Sequence, residues 1–416
     1  MQLITDAEWA QRCQADGEFM LAARHWHGAL SLHIGDQHKA LTLVDGQPWA
    51  GLQPGVQGVL TFTGAASTWA KVLAAHPERF HHDLMANITM ARGLSRPLAD
   101  EGDGVLHAQY YAAVMRAIEL LRPDSAPVVA PAQPTPGSFA EPVGRYIHLN
   151  LAGDDYRVYF EEAGQGIPLL LQHTAGCHGS QWRHLFENPQ ITSRFRLIAY
   201  DLPFHGKSLP PQNVPWWTQT YQLKGEFLRS VPLALSAALQ LDAPVFMGCS
   251  VGGLLALDLA HKHPDAFRAV IAVEGALHIE GSTSALSELW HPQVSNEYKA
   301  RLMDGLMAPG SPVNLRKETG FVYASGWPPL FLGDLYYYMD EFDLRAVAGD
   351  IDTTQTAVHI LSGEYDYSGT SELGQAAHAA ISGSTWAEMS GVGHFPMSEN
   401  PATFIEYLLP ILDGIA

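Results

Sequence analysis

The chain has 416 residues, 47% hydrophobic and 16% charged, with a formal net charge of −19; at about 100 to 200 residues per domain it is globular and larger than one ordinary core. Lysine and arginine form no stripe that could neutralise phosphates, which excludes a nucleic-acid footprint, and no stretch approaches the roughly 18 to 20 apolar residues of a membrane span. Cys13, Cys177 and Cys249 are too scattered for a disulfide framework or a zinc site, and the start, "MQLITDAEWAQ", lacks the basic and apolar regions of a signal peptide, so the expectation is a cytoplasmic protein without metal.

In "TDAEWAQRCQ", Thr5 is an N-cap with Glu8 at the capping-box position, which predicts a first helix from about Asp6. "ALSLHI" and "KALTLV" alternate apolar and polar residues across a short turn, and "VLTFTG" repeats the pattern; these predict half-buried antiparallel strands. Ser67 is expected to cap the next helix, through "TWAKVLAAH", and a last amphipathic helix covers roughly residues 104–120. "HWH" at His25 to His27 and "HHD" at His81 to Asp83 lack spaced partners for a metal. Residues 1–122 thus predict a small α+β domain, and the proline-dense residues 123–144 an extended linker.

From residue 145 to the end the pattern becomes strand, loop, helix. "YRVYFEEAG", "IPLLLQHT", "FRLIAYD", "APVFMG", "RAVIAVEGAL", "TAVHILSGEYD" and "STWAEMSGVGH" read as strands, and their continuous apolar runs suit a parallel sheet buried on both faces. About residues 278–345 form an aromatic-rich insertion with little β pattern. The N-terminal order of helix, meandering strands, "FTGAASTWAKVL" and closing helix is similar to SCP2-type sterol-carrier domains, which implies an apolar ligand tunnel or a homodimerisation role; the simpler expectation is an accessory domain.

Gly248-Cys249-Ser250-Val251-Gly252 fits G-x-S-x-G between a strand and the helix "LLALDLAHKH". Such a turn lifts the serine hydroxyl clear of the sheet in a strained conformation, and the glycines leave room where a Cβ would collide. A serine needs a base oriented by a carboxylate. In "SGVGHFPMSENP", His394 lies in a glycine-rich loop past a strand and is the candidate base. In "ILSGEYDYSG", Asp366 is preferred to Glu364 as the acid because it lies farther past the strand end; Glu274, ending "VIAVEG", is an outside candidate. The oxyanion donors are expected to be the amides of Val251 and, in "HTAGCHGSQW", of Ala175.

"EEAGQGIPLLLQHTAG", "AYDLPFHGKS", "MGCSVGG", "LSGEYD" and "GVGHF" occur in the order that resembles the α/β-hydrolase superfamily, over about residues 146–416. The resemblance implies an α/β fold with a mostly parallel eight-stranded sheet, helices on both faces and a helical cap, a Ser250-His394-Asp366 triad and no cofactor. Two departures stand out: His173-Thr174 replaces the usual His-Gly before the oxyanion donor, and a serine nucleophile argues against epoxide hydrolases and haloalkane dehalogenases. Among "FVYASGWPPLFLGDLYYYMDEFDL", Trp327, Phe331 and Tyr337 are candidate lining residues, with His178, Trp182 and Trp216, for an apolar pocket. The expected function is acyl-enzyme hydrolysis of small carboxylic esters with a hydrophobic or aromatic part. Carbon–carbon hydrolysis of ring-cleavage products or lactone opening is the alternative, and a lipid-carrier or binding protein the non-enzymatic one.

Overall fold

The computed structural model describes residues 3–96, 101–123, 127–131 and 135–415. It divides into two compact units, Met1–Val128 with Trp290–Gly305, and Val129–Leu289 with Leu306–Ala416. Residues 124–126 and 132–134 of the expected linker lie outside the described residues.

The first unit opens with helix Asp6–Ala15, capped where Thr5 Oγ1 accepts from the Glu8 amide at 3.1 Å. Strands β1 (Gly28–Ile34), β2 (Gln37–Val44), β3 (Gln47–Ala50), β4 (Val59–Gly64) and β5 (Leu94–Ser95) form one sheet in the order β3-β2-β1-β4-β5. Gly35 takes φ +58° at the first position of a two-residue hairpin between β1 and β2, as the right-handed strand twist requires. The pairing of β4 departs from expectation: it runs parallel to β1, Leu30 opposite Leu60. Alternation reveals which face of a strand is buried, not the direction of its neighbour. The next helix, Ala66–Val72, begins at Ala65 rather than at a Ser67 cap. Its start is set by packing, because Trp69 is fully buried and its indole N–H donates to His33 O at 2.9 Å. Trp9, Trp26, Phe62 and Tyr111 fill the core between sheet and helices.

The second unit is built on β6 (Val143–Leu151), β7 (Asp154–Gly164), β8 (Ile167–Gln172), β9 (Phe195–Tyr200), β10 (Val245–Cys249), β11 (Ala269–Val273), β12 (Ala357–Gly363) and β13 (Thr385–Met389). Their order is β13-β12-β11-β10-β8-β9-β7-β6. All neighbours pair in parallel except at β7, which is antiparallel to both β6 and β9. β10 and β11 are buried along their whole length, as central strands covered on both faces must be. The individual strand readings do not include β6, because it is a largely exposed edge strand without an apolar run. The insertion contributes helices Val313–Ala324 and Pro329–Leu335, followed by a π-helical turn, Tyr336–Glu341. Every functional candidate discussed below lies in this unit, at the C-terminal ends of its parallel strands or in the insertion.

Candidate active site

Ser250 stands between β10 and helix Val251–Lys262 with φ 59° and ψ −115°, a conformation that a non-glycine residue holds only when its surroundings enforce it. The Ser250 amide donates to Val273 O on the neighbouring strand at 2.9 Å. A Cβ on Gly248 would sit 2.3 Å from Gly252 O, and one on Gly252 2.8 Å from the Gln172 side chain, so both glycines are needed for the helix to approach the sheet this closely.

His394 follows β13 in the loop before the short helix Pro396–Glu399, and its backbone carbonyl accepts from Cys249 Sγ at 3.2 Å, next to the elbow. His394 Nδ1 lies 2.6 Å from Asp366 Oδ2. Because a carboxylate can only accept, Nδ1 carries a proton, and in the neutral ring Nε2 is then the nitrogen with the lone pair. Asp366 also accepts from the amides of Ser368 at 2.7 Å and Gly369 at 3.1 Å. Burial alone would raise its pKa, but the facing imidazole and these donors hold it below the usual carboxylate range. Glu364, the rejected alternative, lies on the other side of the turn, accepting from the Ser390 hydroxyl and the Gly391 amide.

Glu274 is fully buried at the end of β11, has φ 53°, and accepts from the Gly363 amide with both carboxylate oxygens at 2.9 Å. Burial, then the charge of Asp366, pushes its pKa well above the carboxylate range, which favours the protonated form beside Asp366.

On the loop after β8, the Thr174 amide donates to Gln181 Oε1 at 3.1 Å and the Gly176 amide to Asp334 Oδ2 at 2.7 Å. Between them Ala175, 3% exposed, has an amide that donates to no group among the described residues. Val251, the first residue of its helix, likewise has an amide with no intrahelical acceptor. Buried N–H groups left open in this way are costly unless a ligand oxygen accepts from them.

The candidate lining residues separate. His178 and Trp327 meet in one cavity of about 410 Å³, with Tyr159, Glu161, Asp201 and Phe204; Ser250 is not among its walls. Burial lowers the His178 pKa, and Glu161, Asp201 and Lys207 share the lining of this cavity with the rings of Phe204 and Trp327. Trp216 packs edge-on against Trp327 at 5.5 Å, behind the stacked Phe204–Trp327 pair. Phe331 lies against the loop after β8, its Cβ 2.8 Å from where a Cβ of Gly176 would stand, and meets the ring of Tyr323 edge-on. Trp182 corrects the expectation: it is fully buried and faces Phe404 at 6.4 Å, so it is core. Tyr337 is a second correction, since its hydroxyl donates to Asp258 Oδ2 at 3.0 Å on the helix after the elbow. The tyrosine turned toward Ser250 is Tyr338, which also pairs with Ser368 Oγ at 3.1 Å. The π-helical turn sets which of the neighbouring tyrosines faces inward, and a run of three tyrosines does not disclose it.

A strained serine elbow on a mostly parallel sheet, beside a buried carboxylate–imidazole pair, defines a hydrolase-type architecture. The chain belongs to the α/β-hydrolase family: the model described as alpha/beta hydrolase fold matches residues 167–398, more than half the chain. It is 32% identical over 109 residues to a pimeloyl-[acyl-carrier protein] methyl ester esterase of Methylococcus capsulatus, covering 26% of this chain and 37% of that one. An esterase of the same description from Chromobacterium violaceum is 29% identical over 213 residues, covering 47% and 75%. The first two such esterases are matched over 37% and 41% of their length, well short of the whole enzymes. Among solved structures, a thermophilic esterase from Thermogutta terrifontis superposes with TM-score 0.57 at 17% identity, covering 65% of this chain and 99% of that one. The enol-lactonase from Burkholderia xenovorans gives TM-score 0.51 at 21% identity, covering 64% and 100%. These two likenesses concern the fold.

Proposed function

We propose that this α/β-hydrolase is a serine esterase that cleaves carboxylic esters of small hydrophobic or aromatic molecules through an acyl-enzyme. The observation that carries the reading is the Asp366–His394 pair at 2.6 Å in the loops around the Ser250 elbow. His394 Nε2 takes the Ser250 proton as Oγ attacks the ester carbonyl, and Asp366 stabilises the resulting imidazolium. The oxyanion accepts from the amides of Ala175 and Val251. Collapse expels the alcohol, which receives the proton from Nε2; a water molecule then repeats the sequence on the acyl-enzyme and releases the acid. No step calls for a cofactor.

The buried Tyr338, Tyr323 and Phe331 of the insertion support an apolar acyl or alcohol part. The esterase descriptions of the relatives point the same way. The first unit is an accessory domain in this reading, since Trp9, Trp26, Trp69 and Phe62 occupy the interior that a carried lipid would need; solvent extraction of the purified protein, analysed for stoichiometric lipid, tests that assignment.

The testing experiment is hydrolysis of p-nitrophenyl esters from acetate to decanoate, and benzoate, by wild type and Ser250→Ala side by side. Turnover that the substitution abolishes supports the reading. If wild type cleaves no ester although Ser250 reacts with a phosphonate, the reading passes to carbon–carbon or lactone substrates.

A further inference from the structure

We propose that Asp334, carried by the insertion, is a positioning residue that sets the loop supplying the Ala175 amide; the inference rests on the esterase reading. Asp334 lies on helix Pro329–Leu335 and is fully buried. Its Oδ2 accepts from the Gly176 amide at 2.7 Å and lies 2.8 Å from His205 Nε2, while Oδ1 accepts from the Tyr221 hydroxyl at 3.0 Å. A buried carboxylate persists only when its lone pairs are answered in this way.

The charge state of the His205 ring follows from its surroundings. His205 Nδ1 lies 2.9 Å from Pro203 O, and Nε2 faces Asp334; both neighbours are acceptors, so both ring nitrogens must donate and the ring is an imidazolium. Burial alone would favour the neutral ring, and the carboxylate outweighs it. The adjacent His173 ring, 5.0 Å away, is neutral by the same test: its Nδ1 meets Thr174 O, and its Nε2 accepts from the Leu202 amide. Asp334 is therefore one half of a desolvated ion pair, which resists displacement more than a neutral contact would.

The consequence falls on the oxyanion loop. Gly176 adopts φ +62° and its Cα side touches Phe331, one turn of helix before Asp334, so loop and helix meet without a spacer. With the Gly176 amide committed to Asp334 and the Thr174 amide to Gln181, Ala175 is the residue between them whose amide is left for a substrate. The helix is itself fixed from outside, where Gly333 O accepts from the Leu223 amide at 2.9 Å. One acid on the insertion thereby holds the C-terminal side of the loop and the aim of the Ala175 donor, while Gln181 holds the other side.

The test compares wild type, Asp334→Asn and His205→Gln with two readouts: steady-state ester hydrolysis, and the rate at which a fluorophosphonate labels Ser250, a reaction whose phosphoryl oxygen uses the same donors. Removing an oxyanion donor costs about 100- to 1,000-fold in kcat; misaiming one is expected to cost roughly 10- to 100-fold with KM within about threefold. Asp334→Asn should show that loss in kcat and in labelling rate alike, at an unchanged circular dichroism spectrum, and His205→Gln a smaller loss of the same kind. If Asp334→Asn does not fold, His205→Gln decides. A wild-type labelling rate and kcat in the folded variants overturn the assignment of Asp334, as does a loss confined to KM. Failure of wild type itself to be labelled at Ser250 overturns the esterase reading instead.

Discussion

Glu274 and Asp366 are two fully buried carboxyl groups set past the ends of neighbouring strands β11 and β12, and their surroundings push their pKa values apart, that of Glu274 upward and that of Asp366 downward. The asymmetry comes from their partners. Asp366 faces an imidazole N–H and two amides, whereas Glu274 has one amide and the neighbouring negative charge.

This arrangement makes stability depend on pH. A carboxyl whose pKa is raised on folding contributes stability that is fully present below its unfolded pKa and is lost as pH rises toward the folded value, at about 1.4 kcal/mol per pH unit between the two. Glu274→Gln has no such loss, and its amide can still donate to Asp366. The variant should therefore gain stability over wild type progressively as pH rises above the ordinary glutamate value of 4.5, read by urea unfolding in an acidic and a neutral buffer. Its ester turnover should stay within about threefold of wild type, because a neutral donor still faces Asp366.

Asp366→Asn is expected to cost far more, on the order of 10³- to 10⁴-fold in kcat, since an amide cannot stabilise the imidazolium and favours the wrong tautomer. Steady-state kinetics on a p-nitrophenyl ester reads the loss directly. A variant within tenfold of wild type would move the orienting role to Glu274.

Glu399 braces the histidine loop from behind. Its Oε1 accepts from the Gly393 amide at 3.0 Å and the Phe395 amide at 3.1 Å, on either side of His394, and its Oε2 accepts from the Ala308 amide at 2.8 Å and Ser311 Oγ at 2.7 Å. Burial raises its pKa to about 7 against these donors. Glu399→Gln places an NH₂ where two donors already point, and should cost about 2 kcal/mol of stability. Chemical unfolding gives the stability change and kcat the accompanying loosening of His394.

Tyr338 and Tyr337 are neighbours in sequence with different surroundings. Tyr338→Ala should raise kcat/KM for long acyl chains relative to acetate, by opening space beside Ser250. Tyr337→Phe should leave that preference alone and cost about 1 kcal/mol, the Asp258 hydrogen bond being structural. The acyl-chain profile of the two variants separates the roles.

Much of the second unit can be read from sequence because its physics is local. The apolar runs of β8 to β12 exceed what an exposed strand would carry, and the glycines around Ser250 mark a close helix–sheet approach. Asp366 and His394 follow strands in loops, where their types already suggest an acid and a base. What stays hidden depends on tertiary partners. β6 has no apolar run because it is an edge, and β4 shows its buried face but not its parallel neighbour. The raised pKa of Glu274, the ion pair of Asp334 with His205 and the four donors around Glu399 arise only when distant segments meet. The inward turn of Tyr338 rather than Tyr337 follows from a π-helical turn that has no sequence signature of its own.

The central claim is that Ser250 becomes acylated during turnover. Rapid quenching of wild type with a p-nitrophenyl ester, followed by intact-protein and peptide mass spectrometry, tests it most directly, with Ser250→Ala as the comparison. The account predicts one acyl group on the peptide containing Ser250 in wild type and none in the variant. Acylation elsewhere, or turnover that persists in Ser250→Ala, would contradict it.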